Sequence, residues 1–218
     1  MKVLNALKII QDISSQQWGL ITSAQATAKG IDRMALSRLE KNGYLERLRK
    51  GVYRVSAAPS TKFEDIYAAW LSFEPSQLSY MRSKAPDTDV IVSGVTASYV
   101  WGIGELIPEP ITFTAPTRKQ LRDKNIKATK RQLQKHETTI VHGLPITTLE
   151  RTIADLVADG VDLSLVANVV RDAQRIKELD SNELIEYLKP YAKRAGLQQN
   201  DGTALFNFLI YSGENYVR

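Results

Sequence analysis

Apolar residues recur at helical spacing from the start of the chain. Val3, Ala6, Leu7, Ile10 and Ile13 lie three and four apart, which predicts an amphipathic helix over residues 2–14. Trp18 and Leu20 in the connection read as core plugs. A short helix follows, capped by Thr22 or Ser23 and closed at Lys29-Gly30, since glycine reaches the left-handed conformation without a Cβ clash. Asp32 caps a second helix that runs to about Lys41 and stops at Asn42-Gly43. On it Ala35, Leu36 and Leu39 form an inner stripe, while Arg33, Met34, Ser37, Arg38 and Lys41 point outward. Tyr44–Arg49 and Val52–Val55 predict a β-hairpin turning at Lys50-Gly51. Leu45 and Leu48 would fall on opposite faces of a regular strand, which calls for a bulge or a shorter strand.

The pattern changes at Ala57-Ala58-Pro59-Ser60-Thr61, a small-residue break where the sequence predicts a domain boundary, giving domains 1–58 and 62–218. Residues 62–73 read as a helix with Phe63, Ile66, Tyr67, Trp70 and Leu71 on one side. Val90-Ile91-Val92 is a short buried-type run, and Ser93–Trp101 a helix closed by Gly102. Ile111–Thr114 and Thr138–Val141 alternate and are rich in β-branched residues, as strands are. Thr147-x-x-Glu150 matches a capping box before a helix over Leu149–Ala158. Asp162 opens a helix to about Lys177, Ser181 opens another to about Arg194 with Pro190 interrupting it, and a last helix spans about Thr203–Tyr211. The fold class is therefore α+β and mostly helical, mixed at the start of its second half and helical to the end.

Two short helices around a glycine turn, followed by a hairpin, make a winged helix-turn-helix, whose second helix can enter a major groove. Charge sharpens that reading. Residues 1–60 hold ten Lys and Arg against four Asp and Glu; the remainder holds nineteen against twenty, so the whole surplus of +5 arises in the winged segment. That is the footprint expected of a nucleic-acid-binding domain. Arg33, Ser37, Arg38 and Lys41 on the helix, with Arg47, Arg49, Lys50 and Arg54 on the wing, are the DNA-facing candidates. Arginine among them can pair phosphate or make a forked pair of hydrogen bonds to guanine. A second basic segment, residues 118–135, carries Arg118, Lys119, Arg122, Lys124, Lys127, Lys130, Arg131 and Lys135 against Asp123. It reads either as a solvated face or as a second nucleic-acid contact.

Composition excludes several other classes. The chain has no cysteine, which removes disulfides, thiolate catalysis and cysteine-ligated zinc. The start is broken by Asn5, Lys8 and Asp12, unlike a signal peptide, and no run nears the roughly 20 apolar residues of a membrane helix. A cytoplasmic, nucleoid-associated protein is the expectation. His136 and His142 are the two histidines, and no phosphate loop or Gly-x-Ser-x-Gly elbow accompanies them. Asp155 and Asp159 share a helix side but fall short of a nuclease site. The sequence thus predicts no enzyme, no cofactor and no metal.

The wing, Gly43-Tyr44-Leu45-Glu46-Arg47-Leu48-Arg49-Lys50-Gly51-Val52-Tyr53-Arg54-Val55, resembles the "G-x-L-x-R-x-x-x-G-x-Y" ending of AbiEi-type antitoxins. Ile21-Thr22 and Ala24-Gln25-Ala26 precede it as in that family. Thr96-Ala97-Ser98, Trp101-Gly102, and the run Gly143-Leu144-Pro145-Ile146-Thr147-Thr148 into Glu150-Arg151-Thr152-Ile153-Ala154-Asp155-Leu156 are similar to its second domain. The resemblance implies an antitoxin of a type IV, abortive-infection toxin–antitoxin system acting in phage defence. It implies an N-terminal winged helix-turn-helix that represses its own operon at promoter inverted repeats in double-stranded DNA. It also implies a C-terminal domain that counters a nucleotidyltransferase-like toxin without a stable complex. Arg151, Thr152 and Asp155 match the second-domain motif; Arg151 and Asp155 are four apart on one helix and can pair, a structural role. The alternative is a stand-alone winged-helix regulator with a sensing or partner-binding C-terminal domain.

Overall fold

Helix α1 (Val3–Ser14) buries Ala6, Ile10 and Ile13, the face its spacing predicts. A three-residue strand β1 (Leu20–Thr22) follows, then α2 (Ser23–Ala28), α3 (Arg33–Lys41), β2 (Leu45–Arg49) and β3 (Val52–Val55). The strands pair antiparallel in the order β1-β3-β2. β1 escapes sequence reading because three residues carry no period of their own. The irregular alternation of β2 is a bulge: the register shifts between Arg47 and Arg49, leaving Leu48 as the extra residue. One face of this sheet meets a core of Ile10, Ile13, Ile21, Ala26, Leu36, Leu39 and Leu45. This is the winged helix-turn-helix. The computed structural model describes residues 3–82, 89–120, 123–176 and 179–214, the side chains of 212–214 excepted.

Two further helices, α4 (Glu64–Phe73) and α5 (Ser79–Arg82), complete a compact unit that spans Met1–Ala85; a second spans Pro86–Arg218. The units therefore part after Ala85, not at 57–61. The reason is aromatic packing. α4 touches all three strands, and Trp18 stacks on Tyr67 at 4.2 Å and meets Trp70 edge-on at 6.0 Å. The apolar side of α4, including the fully buried Trp70, thus belongs to the winged unit. The proline-containing break is a turn within that unit, made tight by Gly19, where an added Cβ would collide with Ala58.

In the second unit, β4 (Ile91–Val92), β5 (Ile111–Ala115), β6 (Ile126–Lys130), β7 (Thr138–Val141) and β8 (Leu144–Thr147) form a mixed sheet in the order β6-β5-β4-β8-β7. β5 runs antiparallel to β4 and parallel to β6, whereas β4 is parallel to β8. α6 (Gly94–Trp101), α7 (Leu149–Ala158), α8 (Leu163–Ile176), α9 (Ser181–Leu188) and α10 (Gly202–Glu214) supply most of a core around Ile153, Leu156, Val166, Val170, Leu184 and Leu205. Gly102 ends α6 in the left-handed conformation as expected. Pro190 ends α9 and starts a 3-10 turn over Lys189–Ala195.

Two local expectations shift by one residue. The cap of α7 is Thr148, whose Oγ1 accepts from the Arg151 N–H at 3.3 Å, not Thr147. Glu150 makes no capping box; its Oε1 accepts the Asp180 N–H at 2.7 Å, because β8 keeps Thr147 in the ladder. Asp180 rather than Ser181 caps α9, accepting from the N–H groups of Asn182 and Glu183.

Candidate nucleic-acid interface

The recognition helix is set in place by its flanks. At the start of α2, the Thr22 hydroxyl accepts the Gln25 N–H at 3.1 Å while the Gln25 side chain accepts the Thr22 N–H at 3.0 Å. Gln25 also donates to the Gln77 carbonyl at 2.8 Å, and Gln17 donates to Gln25 Oε1 at 2.7 Å. Both glutamines are buried, so this amide network fixes α2 against residues that follow the wing. Thr22-x-x-Gln25 is a capping-box spacing and was readable as one; the partnership with Gln17 and Gln77 was not. α3 begins at Asp32, whose Oδ1 accepts the Ala35 N–H at 2.7 Å.

Leu36 and Leu39 anchor α3 inward, which leaves Arg33, Met34, Ser37, Arg38 and Lys41 exposed. On the hairpin, Arg47 and Lys50 are exposed and Arg49 is half-buried. The wing tip sits beside α2, since the Gly51 carbonyl accepts the Ser23 N–H at 2.8 Å. At Gly51, φ is +76° and a Cβ would press the Ser23 hydroxyl at 3.0 Å, so the turn requires glycine. Among the described residues, no ion pair engages Arg33, Arg38, Lys41, Arg47 or Lys50. The helix-turn-helix and the wing tip therefore present one cluster of available cations from two adjacent elements.

Arg54 differs from the rest of the set. Its guanidinium pairs with Glu46, lies 3.3 Å from Glu64 of α4, and donates to the Ala58 carbonyl at 3.4 Å. The hydrogen bond to Glu46, helped by the charge of Glu64, pushes its pKa further above the ordinary arginine value. Glu46 and Glu64 were not singled out in the sequence, because nothing local to either announces the other.

The second basic segment is organised around carboxylates. Arg131 pairs with Asp155, and Lys127 lies 3.8 Å from Asp159. Arg151 pairs with Asp155 at 2.8 Å, reaches Glu137 at 3.5 Å and covers the Tyr187 ring at 4.9 Å. Burial works against the charge of Arg151, but Asp155 and Glu137 outweigh it and its pKa rises. Thr152 shares a 2.7 Å hydrogen bond with Thr147. The three motif residues are thus packed into the α7 side of the sheet, and the Arg151–Asp155 pair forms as their spacing suggested. Lys124, Lys130 and Lys135 are exposed, and Arg122 lies outside the described residues. His136 faces Glu183 at 3.7 Å, and His142 occupies the turn between β7 and β8 with φ +51°.

A winged helix-turn-helix with an open cationic face places the first unit among the folds that transcriptional regulators use. Residues 8–56, from α1 through the last wing strand, match the family model described as "Transcriptional regulator, AbiEi antitoxin". The resemblance seen in the sequence therefore holds over residues 8–56, and the family is one of regulators. No curated protein matches the chain. Among solved structures, the crystal structure of the RV2827C protein from Mycobacterium tuberculosis is similar in fold at 15% identity. It matches over 95% of this chain and 76% of its own, with a TM-score of 0.58. Among the described residues, no helix is long and apolar enough to cross a membrane.

Proposed function

We propose that this protein is a DNA-binding antitoxin of a type IV toxin–antitoxin system in phage defence. It represses its own operon by binding promoter inverted repeats and counteracts a nucleotidyltransferase-like toxin without forming a stable complex with it. It works in the cytoplasm, on the nucleoid. The observation that supports this most is the cluster of exposed cations Arg33, Arg38, Lys41, Arg47 and Lys50, which no ion pair engages among the described residues, within the segment that matches a regulator family. In this reading Arg33, Ser37, Arg38 and Lys41 enter the major groove while Arg47, Arg49 and Lys50 follow the phosphates beside it.

Fluorescence anisotropy with a duplex from the protein's own promoter tests the DNA half. Tight, sequence-selective binding that weakens steeply with salt is expected, since each neutralised phosphate releases counterions. Binding that ignores salt would overturn it. Co-expression with the neighbouring gene tests the antitoxin half: rescue of growth is expected, and its absence would leave a regulator without antitoxicity.

A further inference from the structure

The hairpin has two faces, and only one belongs to the recognition core. Leu45, Tyr53 and Val55 pack with the α1–α3 core, so the pleat turns Glu46 and Arg54, which sit directly opposite each other, to the far side. That side is covered by α4. The Arg54 side chain is only 15% exposed; Nη2 donates to Glu46 and Nη1 to the Ala58 carbonyl, while Nε makes an ion-pair approach to Glu64 at 3.3 Å without a hydrogen bond of its own. The core holds one face of the hairpin and β1 holds its β3 edge, so packing of α4 on the second face is the remaining constraint on its pose. To reach a phosphate, Arg54 would have to leave Glu64, itself only 18% exposed, with an unmatched charge beside an already anionic duplex.

We infer that Arg54 is a positioning residue for DNA binding rather than a DNA contact: through Glu46 and Glu64 it ties the wing to α4, and the tie aims the wing-tip cations. The inference rests on the DNA-binding reading above. It makes Glu64 a determinant of affinity although its charge opposes binding, and it makes α4 part of the DNA-binding unit.

The test exploits that opposition of sign. Glu64→Gln removes a negative charge near the interface, which electrostatics alone would reward with tighter binding. Two measurements on the full chain separate the cases: amide hydrogen exchange of β2 and β3 in the free protein, and affinity for the promoter duplex across salt. The expected result for Glu64→Gln is faster exchange in the hairpin and affinity lower by roughly two- to fivefold, the scale of one partly exposed ion pair. Arg54→Lys, which keeps one bond of the tie, is expected to fall between parent and Glu64→Gln. Should Glu64→Gln fold poorly, Glu46→Gln at its 56% exposed position applies the same test. Unchanged exchange with equal or tighter binding overturns the inference. So does an Arg54→Met variant with unchanged exchange whose salt slope drops by about one, the mark of a lost phosphate contact. If the parent itself binds no duplex, the functional reading fails, and hairpin exchange alone then upholds or overturns the tie.

Discussion

The chain has two basic segments built on opposite plans. On α3 and the wing tip, cations project from a helix and a turn whose inner sides are apolar, and no carboxylate meets Arg33, Arg38, Lys41, Arg47 or Lys50 among the described residues. Along β6 and just beyond it, by contrast, Lys127 and Arg131 meet Asp159 and Asp155, and Arg151 continues the chain of alternating charge to Glu137. The exposed Lys130 belongs to the edge strand of the five-stranded sheet, where a lysine discourages pairing with another chain. A count of Lys and Arg made the two segments look alike. What separates them is where the carboxylates fall in space, because potential depends on the sum of nearby charges and not on one sign of it.

The contrast yields experiments in which the two segments should respond oppositely. The largest effect is expected from Arg151→Met, which takes the cation from the buried Glu137 carboxylate and leaves Asp155 to Arg131 alone; it should cost about 3 kcal/mol of stability by denaturant melt. Duplex affinity of the folded variant should not change. Next comes the double change Arg38→Ala and Lys50→Ala, which should leave the melting temperature within a degree or two. It should lower the slope of log affinity against log salt by about two, one for each lost phosphate contact. A double variant that kept its slope would erase the distinction between the segments. Arg131→Ala should cost about 1 kcal/mol of stability, because it is partly exposed and Arg151 still holds Asp155.

The smallest effect concerns Asp162 at the start of α8. Hydrogen bonds from the Ser164 hydroxyl and N–H hold its carboxyl below the ordinary carboxylate range. A depressed pKa means that its stabilisation is present above that ordinary range and is lost as pH falls through the lowered value. The melting-temperature gap between Asp162→Asn and the parent should therefore be open at neutral pH and close in acid.

Much of the winged unit was legible. Thr22, Asp32, Gly30 and Gly43 delimit two helices, the register fault around Leu48 was visible as broken alternation, and the polar face of α3 followed from its inner stripe. The Arg151–Asp155 pair was legible too, being four residues apart on one helix. The extent of the unit was not. Assigning α4 to it requires knowing that Trp18 stacks on Tyr67, forty-nine positions further along, and no local pattern records that. Strand β6 was hidden for a similar reason: its outward residues are lysines and threonine, and only parallel pairing with β5 makes Ile126 an inward position.

From the amino acids alone came the helices and their ends, the hairpin with its irregular strand, and the concentration of positive charge near the start of the chain. These are set by residues within about four positions of one another, through caps, turns and face periodicity. Tertiary structure alone decided which cations stay available and which are neutralised, where the first unit ends, and that Arg54 grips carboxylates of β2 and α4. Each of those depends on groups brought together by packing, and a charge has no meaning for binding until its neighbours in space are known.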